Sequence, residues 1–567
     1  MSEEEAQLCT YLSRELKISE PSARLLVRRG IQTPEEARAY VRPSLAELHD
    51  PFLMRDMYNA VSRLEMAVRE QEKILIYGDY DVDGTTAVAL MYRFLSTVTD
   101  RLDFYVPDRY TEGYGISFRG IDYAREQGCT LIIALDCGIK AVDKVEYARE
   151  RGIDFIICDH HTPGDTLPRA VAVLNMKRHD CTYPYKELSG CGVGFKLVQA
   201  YAIRHGMKEA DFIDLLPLLA MSIASDVVPM TGENRILAYF GLKQINKAPS
   251  VGLQSLFRVA GIGDEGRHIT ISDLVYKIGP RINASGRMHS AAAAVRLLIA
   301  NDPAEAERLA EEINTSNNER REFDNTTRDE ALQLLQQDPE NESRFATVVY
   351  SPGWHKGVVG IVASRLTETY YRPTIVLTRG DDGLLSGSAR SVGGFDIYSA
   401  IDTCRDLLTN FGGHRFAAGL GMREKDLPEF KRRFEQYVAE HILPEQRYPT
   451  IHAEQEIAFG DIDYQFFNIL RHLEPFGPDN PRPVFVTRNV INNHGTRRVG
   501  KMGEHLRFDV TDRTAAISGI GFGMGEAALH LQNGNAVDLC YELEENTFNG
   551  RTSVQMNVQD MKLRGNG

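Results

Sequence analysis

The stretch "GDYDVDGTT" at 78–86 holds three carboxylates at alternate positions, Asp79, Asp81 and Asp83. In extended backbone alternate residues point the same way. Carboxylates that converge raise one another's pKa unless cations neutralise them. The D-x-D-x-D-G spacing imitates a calcium loop. That reading fails because the twelfth position is Leu90, where a bidentate Glu is required, and an apolar strand precedes the cluster. Three further stretches carry acids behind apolar runs: "LDCG" with Asp136, "FIICDHHTPG" with Asp159, His160 and His161, and "LAMSIASDVVPM" with Asp226. Taken singly, each suits a turn, a helix cap or a satisfied polar group. Together they offer oxygen and imidazole donors for two ions of Mn²⁺ or Mg²⁺, and the chain has no CxxC pair for a zinc-thiolate site. Two such ions about 3.5–4 Å apart activate a water and stabilise in-line displacement at phosphorus.

A second set of motifs combines glycine with arginine. "PDRYTEGYG" carries Arg109, and "GPRINASGRM" carries Arg281, Asn283 and Arg287. "WHKGVVGIVASRL" holds the one tryptophan, Trp354, beside His355; "SGSARS" offers Ser388 and Arg390, and "FGGHRFAAG" offers His414. Glycine lets backbone approach a ligand closely, and the guanidinium fork matches phosphate. A single arginine of this kind is an ordinary surface ion pair; their recurrence in Gly/Ser-rich loops points to phosphate contacts. GxxxxGK[ST] does not occur, so nothing supports a nucleotide-triphosphate loop.

The elements that must hold these residues follow from the apolar pattern. "KILIYG", "CTLIIALDCGI" and "IDFIICDHH" are continuous apolar runs alternating with helical spacing, the pattern of a parallel sheet covered on both faces. Ligands collect at the carboxyl ends of such strands, where this chain puts its acids. With 567 residues the chain divides into several units. The reading places an N-terminal helical segment at 1–50, a catalytic α/β domain at 51–300 and a charged connecting helix at 301–340. A second, smaller α/β domain follows at 341–450, and a β-barrel at 451–567, where Asn549-Gly550 signals a hairpin turn. No apolar run approaches the roughly 20 residues that span a bilayer. The acidic start lacks a signal peptide's pattern, and eight scattered cysteines suit reduced thiols, so a cytoplasmic location is expected. A net charge of −14 gives no whole-surface attraction for nucleic acid, leaving a local basic cleft as the route to a polyanion.

The ordered set "GDYDVDG", "DCG", "DHH" and "ASDVVPM", with "GPRINASGRM", "GSARS", "FGGHRFAAG" and "EPFGPDNPRPVF", resembles the bacterial RecJ family within the DHH phosphoesterase superfamily. The resemblance implies a two-lobed α/β core, a parallel-sheet DHH domain and a smaller DHH-associated domain joined by a long helix, with a C-terminal OB-type barrel. It implies a single-stranded-DNA-specific 5′→3′ exonuclease releasing 5′-mononucleotides in DNA repair and recombination. It implies Asp81 and Asp83 as ligands of different metals, Asp136 as the bridge, and His160 and Asp226 completing the second ion. His161 would face the reacting phosphate and Asp159 would orient its neighbours. Ser388 and Arg390, with Arg109, would form a 5′-phosphate pocket, and Arg281, Asn283, Arg287, His355 and His414 would line the DNA path. Many superfamily members have a His where this chain has Tyr77, which makes Asp79 the substitute ligand. Arg497, Arg498, Lys501 and Arg507 are the candidate strand contacts of the barrel, in a stretch that reads equally well as a solvated charged hairpin. Single-strand-binding protein and a RecQ-type helicase are implied as partners. The alternatives are a phosphodiesterase for short oligonucleotides or cyclic dinucleotides, and an inactive DNA-binding scaffold.

Overall fold

The structure, a computed structural model, describes residues 2–263, 267–380, 382–548 and 551–564. The first sheet is fully parallel. It comprises β1 (Lys73–Gly78), β2 (Leu102–Tyr105), β3 (Cys129–Leu135), β4 (Asp154–Cys158) and β5 (Ala172–Leu174) in the order β2-β1-β3-β4-β5. The continuous apolar runs have their physical reason here. Ile74 and Ile76 of β1 face one buried cluster while Leu75 and Tyr77 face another, so neither side of the strand meets water. The strand order reverses beside β1, and the first turns after β1, β3 and β4 open at the same end of the sheet.

The "GDYDVDG" stretch departs from the extended geometry read from its alternation. β1 ends at Gly78, and a helix begins at Val82 (Val82–Leu95) with Asp81 as its N-cap, Oδ1 accepting from Gly84 N at 3.0 Å. Asp83 therefore sits in the first helical turn. The turn is tight enough to demand glycine, because a Cβ at Gly84 would lie 2.4 Å from the Asp79 carbonyl.

The charged stretch after 301 is one uninterrupted helix, Pro303–Gln336, about 50 Å long. Beyond it a mixed sheet comprises β6 (Thr347–Tyr350), β7 (Thr374–Arg379), β8 (Leu385–Arg390), β9 (Leu408–His414) and β10 (Ala417–Met422), in the order β6-β7-β8-β10-β9. The last unit comprises β11 (Gln455–Glu456), β12 (Val484–Asn492), β13 (Arg497–Val499), β14 (His505–Thr511), β15 (Ala516–Gly521), β16 (Val537–Phe548) and β17 (Arg551–Leu563). Pairing of β12 with β14 closes β12, β16, β17, β15 and β14 into a barrel. The expected Asn549-Gly550 turn between β16 and β17 lies outside the described residues; the two strands do pair antiparallel.

The N-terminal helices are not an independent segment. Leu12, Leu25 and Leu26 share one core with Phe466, Phe485 and Phe508 of the C-terminal unit. Arg29 fastens the two, reaching Glu454 at 2.7 Å and Asn480 at 2.9 Å. None of the described helices is long and apolar enough to cross a membrane, and the eight cysteines are free.

Candidate active site

The acids predicted at strand ends meet in one place. Asp79 follows β1, Asp136 follows β3, and Asp159, His160 and His161 follow β4. Asp226 caps the far end of the buried helix Leu216–Ser225 and enters from the side. Asp83 is fixed from below: Gly190 N and Cys191 N donate to it at 2.6 and 2.8 Å, and Ser222 Oγ at 2.6 Å. Asp136 occupies the left-handed region, φ 57°, a conformation few residue types adopt and one that recurs at functional sites.

His160 lies at the centre. Its Nε2 stands 3.2 Å from Asp136 Oδ1, 3.6 Å from Asp226 Oδ2 and 3.9 Å from Asp83 Oδ2. None of these contacts has hydrogen-bond geometry: both ring nitrogens of His160, Asp136 Oδ1 and Asp79 Oδ2 are buried without a hydrogen-bond partner. Buried polar atoms are nearly always paired. Orphaned donors of this kind suit a cation, and two overlapping groups could hold one: Asp83, His160 and Asp226, and Asp136, His160 and His161.

The electrostatics agree. Burial, then the neighbouring Asp81, pushes Asp79 up to about 8. Burial, then Asp83 and Asp81, pushes Asp226 up to about 9. Burial and the same repulsion raise Asp81 and Asp136. Burial lowers His160, keeping its imidazole neutral and able to donate a lone pair. Four carboxylates that raise one another in this way are groups that divalent charge would ionise.

Asp159 stands apart from this ligand set. Oδ2 accepts from Ile139 N at 2.8 Å, and Oδ1 is 2.8 Å from His161 Nδ1. The other ring nitrogen of His161 lies 3.1 Å from the hydroxyl of Tyr114, which donates to the Asp136 carbonyl. Tyr114 was not singled out in the sequence, although it lies five residues past Arg109 in the same glycine-rich loop. Tyr77 is turned away from the acids: its hydroxyl donates to Gly115 O at 3.0 Å and accepts from Ser117 N. Asp79 keeps one orphaned oxygen, although it and Asp81 stand outside both donor groups.

Guanidinium groups gather beside the acids. Arg109 lies over the Tyr80 ring at 4.9 Å, Arg287 donates to the Gly357 carbonyl of the second lobe, and Arg390 donates to Ser388 Oγ. Their partners are neutral. Burial, then Arg109 with Arg320 and Arg390, pushes Arg287 down to about 10. Arg320, on the connecting helix and paired with Asp324 at 3.8 Å, adds to the positive field around Arg287, yet in the sequence it sits inside a charge run that reads as solvated. Arg390, Ala417 and His414 line up across β8, β10 and β9. His414 therefore shares the face of Arg390, about 10 Å away. In the row of Ser388 stand Gly419 and Gly412, which leave the floor bare. The N-terminus of the helix Val359–Tyr370 abuts it, a Cβ at Gly360 meeting Ser388 Oγ at 3.0 Å. This is an anion-binding arrangement. His355 stacks on Phe323 nearby, and Asn283 is half-buried in the helix Gly279–Met288. Arg281 is committed elsewhere, holding Asn314 Oδ1 and the Lys277 carbonyl, and so joins that helix to the connector.

Residues 73–223 match the DHH family, N-terminal domain, residues 343–440 the DHHA1 domain, and residues 453–560 the RecJ OB domain. The single-stranded-DNA-specific exonuclease RecJ of Bacillus subtilis is 37% identical over 551 residues, 97% of this chain and 69% of that protein. The chain belongs to the RecJ family. The crystal structure of RecJ in complex with Mn²⁺ from Thermus thermophilus is similar over 99% of this chain and 78% of that one, with TM-score 0.83 and 29% identity. For the complex with Mg²⁺ the TM-score is 0.77 at 28% identity, over 99% and 77% of the two chains. The expected RecJ architecture, a DHH core, a DHHA1 lobe and an OB barrel, is what the chain has. The donor set fits a divalent cation of the kind those RecJ structures hold, Mn²⁺ or Mg²⁺.

Proposed function

We propose that this protein is a metal-dependent exonuclease that takes single-stranded DNA from its 5′ end and releases 5′-mononucleotides. The observation that carries the reading is the set of orphaned donors around His160 beside arginines that lack carboxylate partners. Two divalent cations bound there supply charge neutralisation and a water of lowered pKa. Asp79, Asp81, Asp83, Asp136, His160 and Asp226 hold them. Asp159 fixes the ring of His161, which is exposed enough to meet the scissile phosphate. Ser388, Arg390 and Arg109 grip the terminal phosphate, and Arg287 and Arg320 neutralise the backbone entering between the lobes.

The barrel extends the track. Arg497 and Arg507 stand directly opposite each other on β13 and β14. Like charges so placed repel unless an anion lies between them. Phe522, 58% exposed, stands edge-on to His505 close by, an aromatic surface beside basic groups. Through the family resemblance we also infer single-strand-binding protein and a RecQ-type helicase as partners, which co-purification from cells would test.

The deciding experiment is Mn²⁺-dependent digestion of 5′-labelled single strand, duplex and dinucleotide. Mononucleotides from long single strands support the reading; activity on dinucleotide alone, or none, overturns it.

A further inference from the structure

The connecting helix carries an exposed aromatic residue at the seam of the two lobes. Phe323 is 44% exposed and stacks on the imidazole of His355, with ring centroids 5.1 Å apart and planes 25° from parallel. His355 is itself held in place, its Nδ1 accepting from Gly357 N at 3.0 Å. Gly357 is the residue whose carbonyl receives Arg287, and Tyr110 of the catalytic lobe donates to the Arg287 carbonyl at 2.6 Å. One turn before Phe323 on the same helix face, Glu319 lies 3.2 Å from His289 of the catalytic lobe. Three residues before it comes Arg320 of the arginine group. The 319–323 face therefore spans the seam, with cations on one side and a rigid aromatic pair on the other. Trp354 cannot serve the same purpose, being buried with its indole N–H donated to Glu330.

We propose that Phe323, backed by His355, is a stacking platform for the 5′-terminal nucleobase of the bound strand. A phosphate held by Arg109, Ser388 and Arg390 leaves its nucleoside to be placed by something other than charge. A ring with one face against His355 and the other toward solvent offers that surface at little entropic cost. Every base has a π-face, so the platform positions the terminal nucleotide without selecting sequence. Backing by an imidazole rather than an aliphatic side chain keeps the ring plane fixed. Phe323 is a positioning residue in this scheme and takes no part in proton transfer.

The inference rests on the proposed single-strand activity, and the test separates the two. Turnover of 5′-phosphorylated single strands is measured with a normal or an abasic 5′-terminal residue, using the full chain as wild type, Phe323→Ala, Phe323→Leu and Phe323→Trp. On the normal strand Phe323→Ala lowers kcat/KM about 5- to 100-fold, Phe323→Leu lowers it nearly as much, and Phe323→Trp restores it. On the abasic strand wild type is already impaired and Phe323→Ala changes little further. A loss that is equal on both strands, or absent on both, overturns the platform. A wild type that leaves normal single strands undegraded overturns the underlying activity instead.

Discussion

Asp159 and His161 are joined twice through one oxygen: Asp159 Oδ1 accepts from the His161 backbone N–H at 3.0 Å and lies 2.8 Å from its ring Nδ1. Burial opposes protonation of His161, but this bond and the charge of Asp159 outweigh it and raise the imidazole's pKa. Asp159→Asn keeps the size and removes the charge. It is expected to lower kcat about 10- to 100-fold with little change in KM, and to move the His161 titration to lower pH by NMR. Unchanged kcat would refute the orienting role.

The raised carboxylates set a pH dependence. Asp79 at about 8 and Asp226 at about 9 hold protons in the fold that the unfolded chain releases near 3.8. Where the folded state binds more protons, stability falls as pH rises, so the metal-free protein weakens from mildly acidic to mildly alkaline conditions. Divalent cations replace those protons, so their benefit grows in the same direction. Melting curves with and without Mn²⁺ across that range should show a Tm gain that increases with pH. A gain that shrinks with pH would refute this assignment.

What the sequence revealed, and what it hid, follows from range. Asp136 and the Asp159-His160-His161 triplet were legible because each closes a continuous apolar run, and a parallel sheet delivers all its strand ends to one edge. Alternation in "GDYDVDG" misled about local backbone: Asp81 caps a helix, a role that a short polar side chain fills as readily as a place on a strand. Arg320 and Phe323 were hidden because the connecting helix looks solvated in sequence, and only the approach of two lobes gives one of its faces a neighbour. The shared core of the N-terminal helices and the barrel joins Leu12 to Phe508, a contact that no local pattern reports.

The arginine group should discriminate chain ends. Arg390 has only neutral partners, Ser388 Oγ and the Ala389 carbonyl. Arg390→Lys retains the charge and loses the fork. The ratio of kcat/KM for 5′-phosphate over 5′-hydroxyl strands should fall about 10- to 100-fold, the loss of one or two charge-assisted hydrogen bonds. An unchanged ratio would move the terminal phosphate elsewhere.

Gly190 joins the two halves of the donor set. Its N–H holds Asp83 at 2.6 Å, while a Cβ there would fall 2.5 Å from Asp136 Cβ. Gly190→Ala must therefore part Asp83 from Asp136, since neither the helix start nor the left-handed backbone at Asp136 can yield independently. Gly192, two residues along the same helix, has no atom closer than 3.4 Å to its would-be Cβ, and Gly192→Ala is the control. Turnover should drop by roughly 100-fold or more in Gly190→Ala, as expected for a displacement near 1 Å at a reacting centre. Its metal-free Tm should fall below that of Gly192→Ala, because the added methyl meets Asp136 where the backbone cannot yield, and the Mn²⁺-dependent Tm gain should disappear in Gly190→Ala alone. A Gly190→Ala variant that keeps that gain would mean that Asp83 and Asp136 need not sit together for the ion to bind.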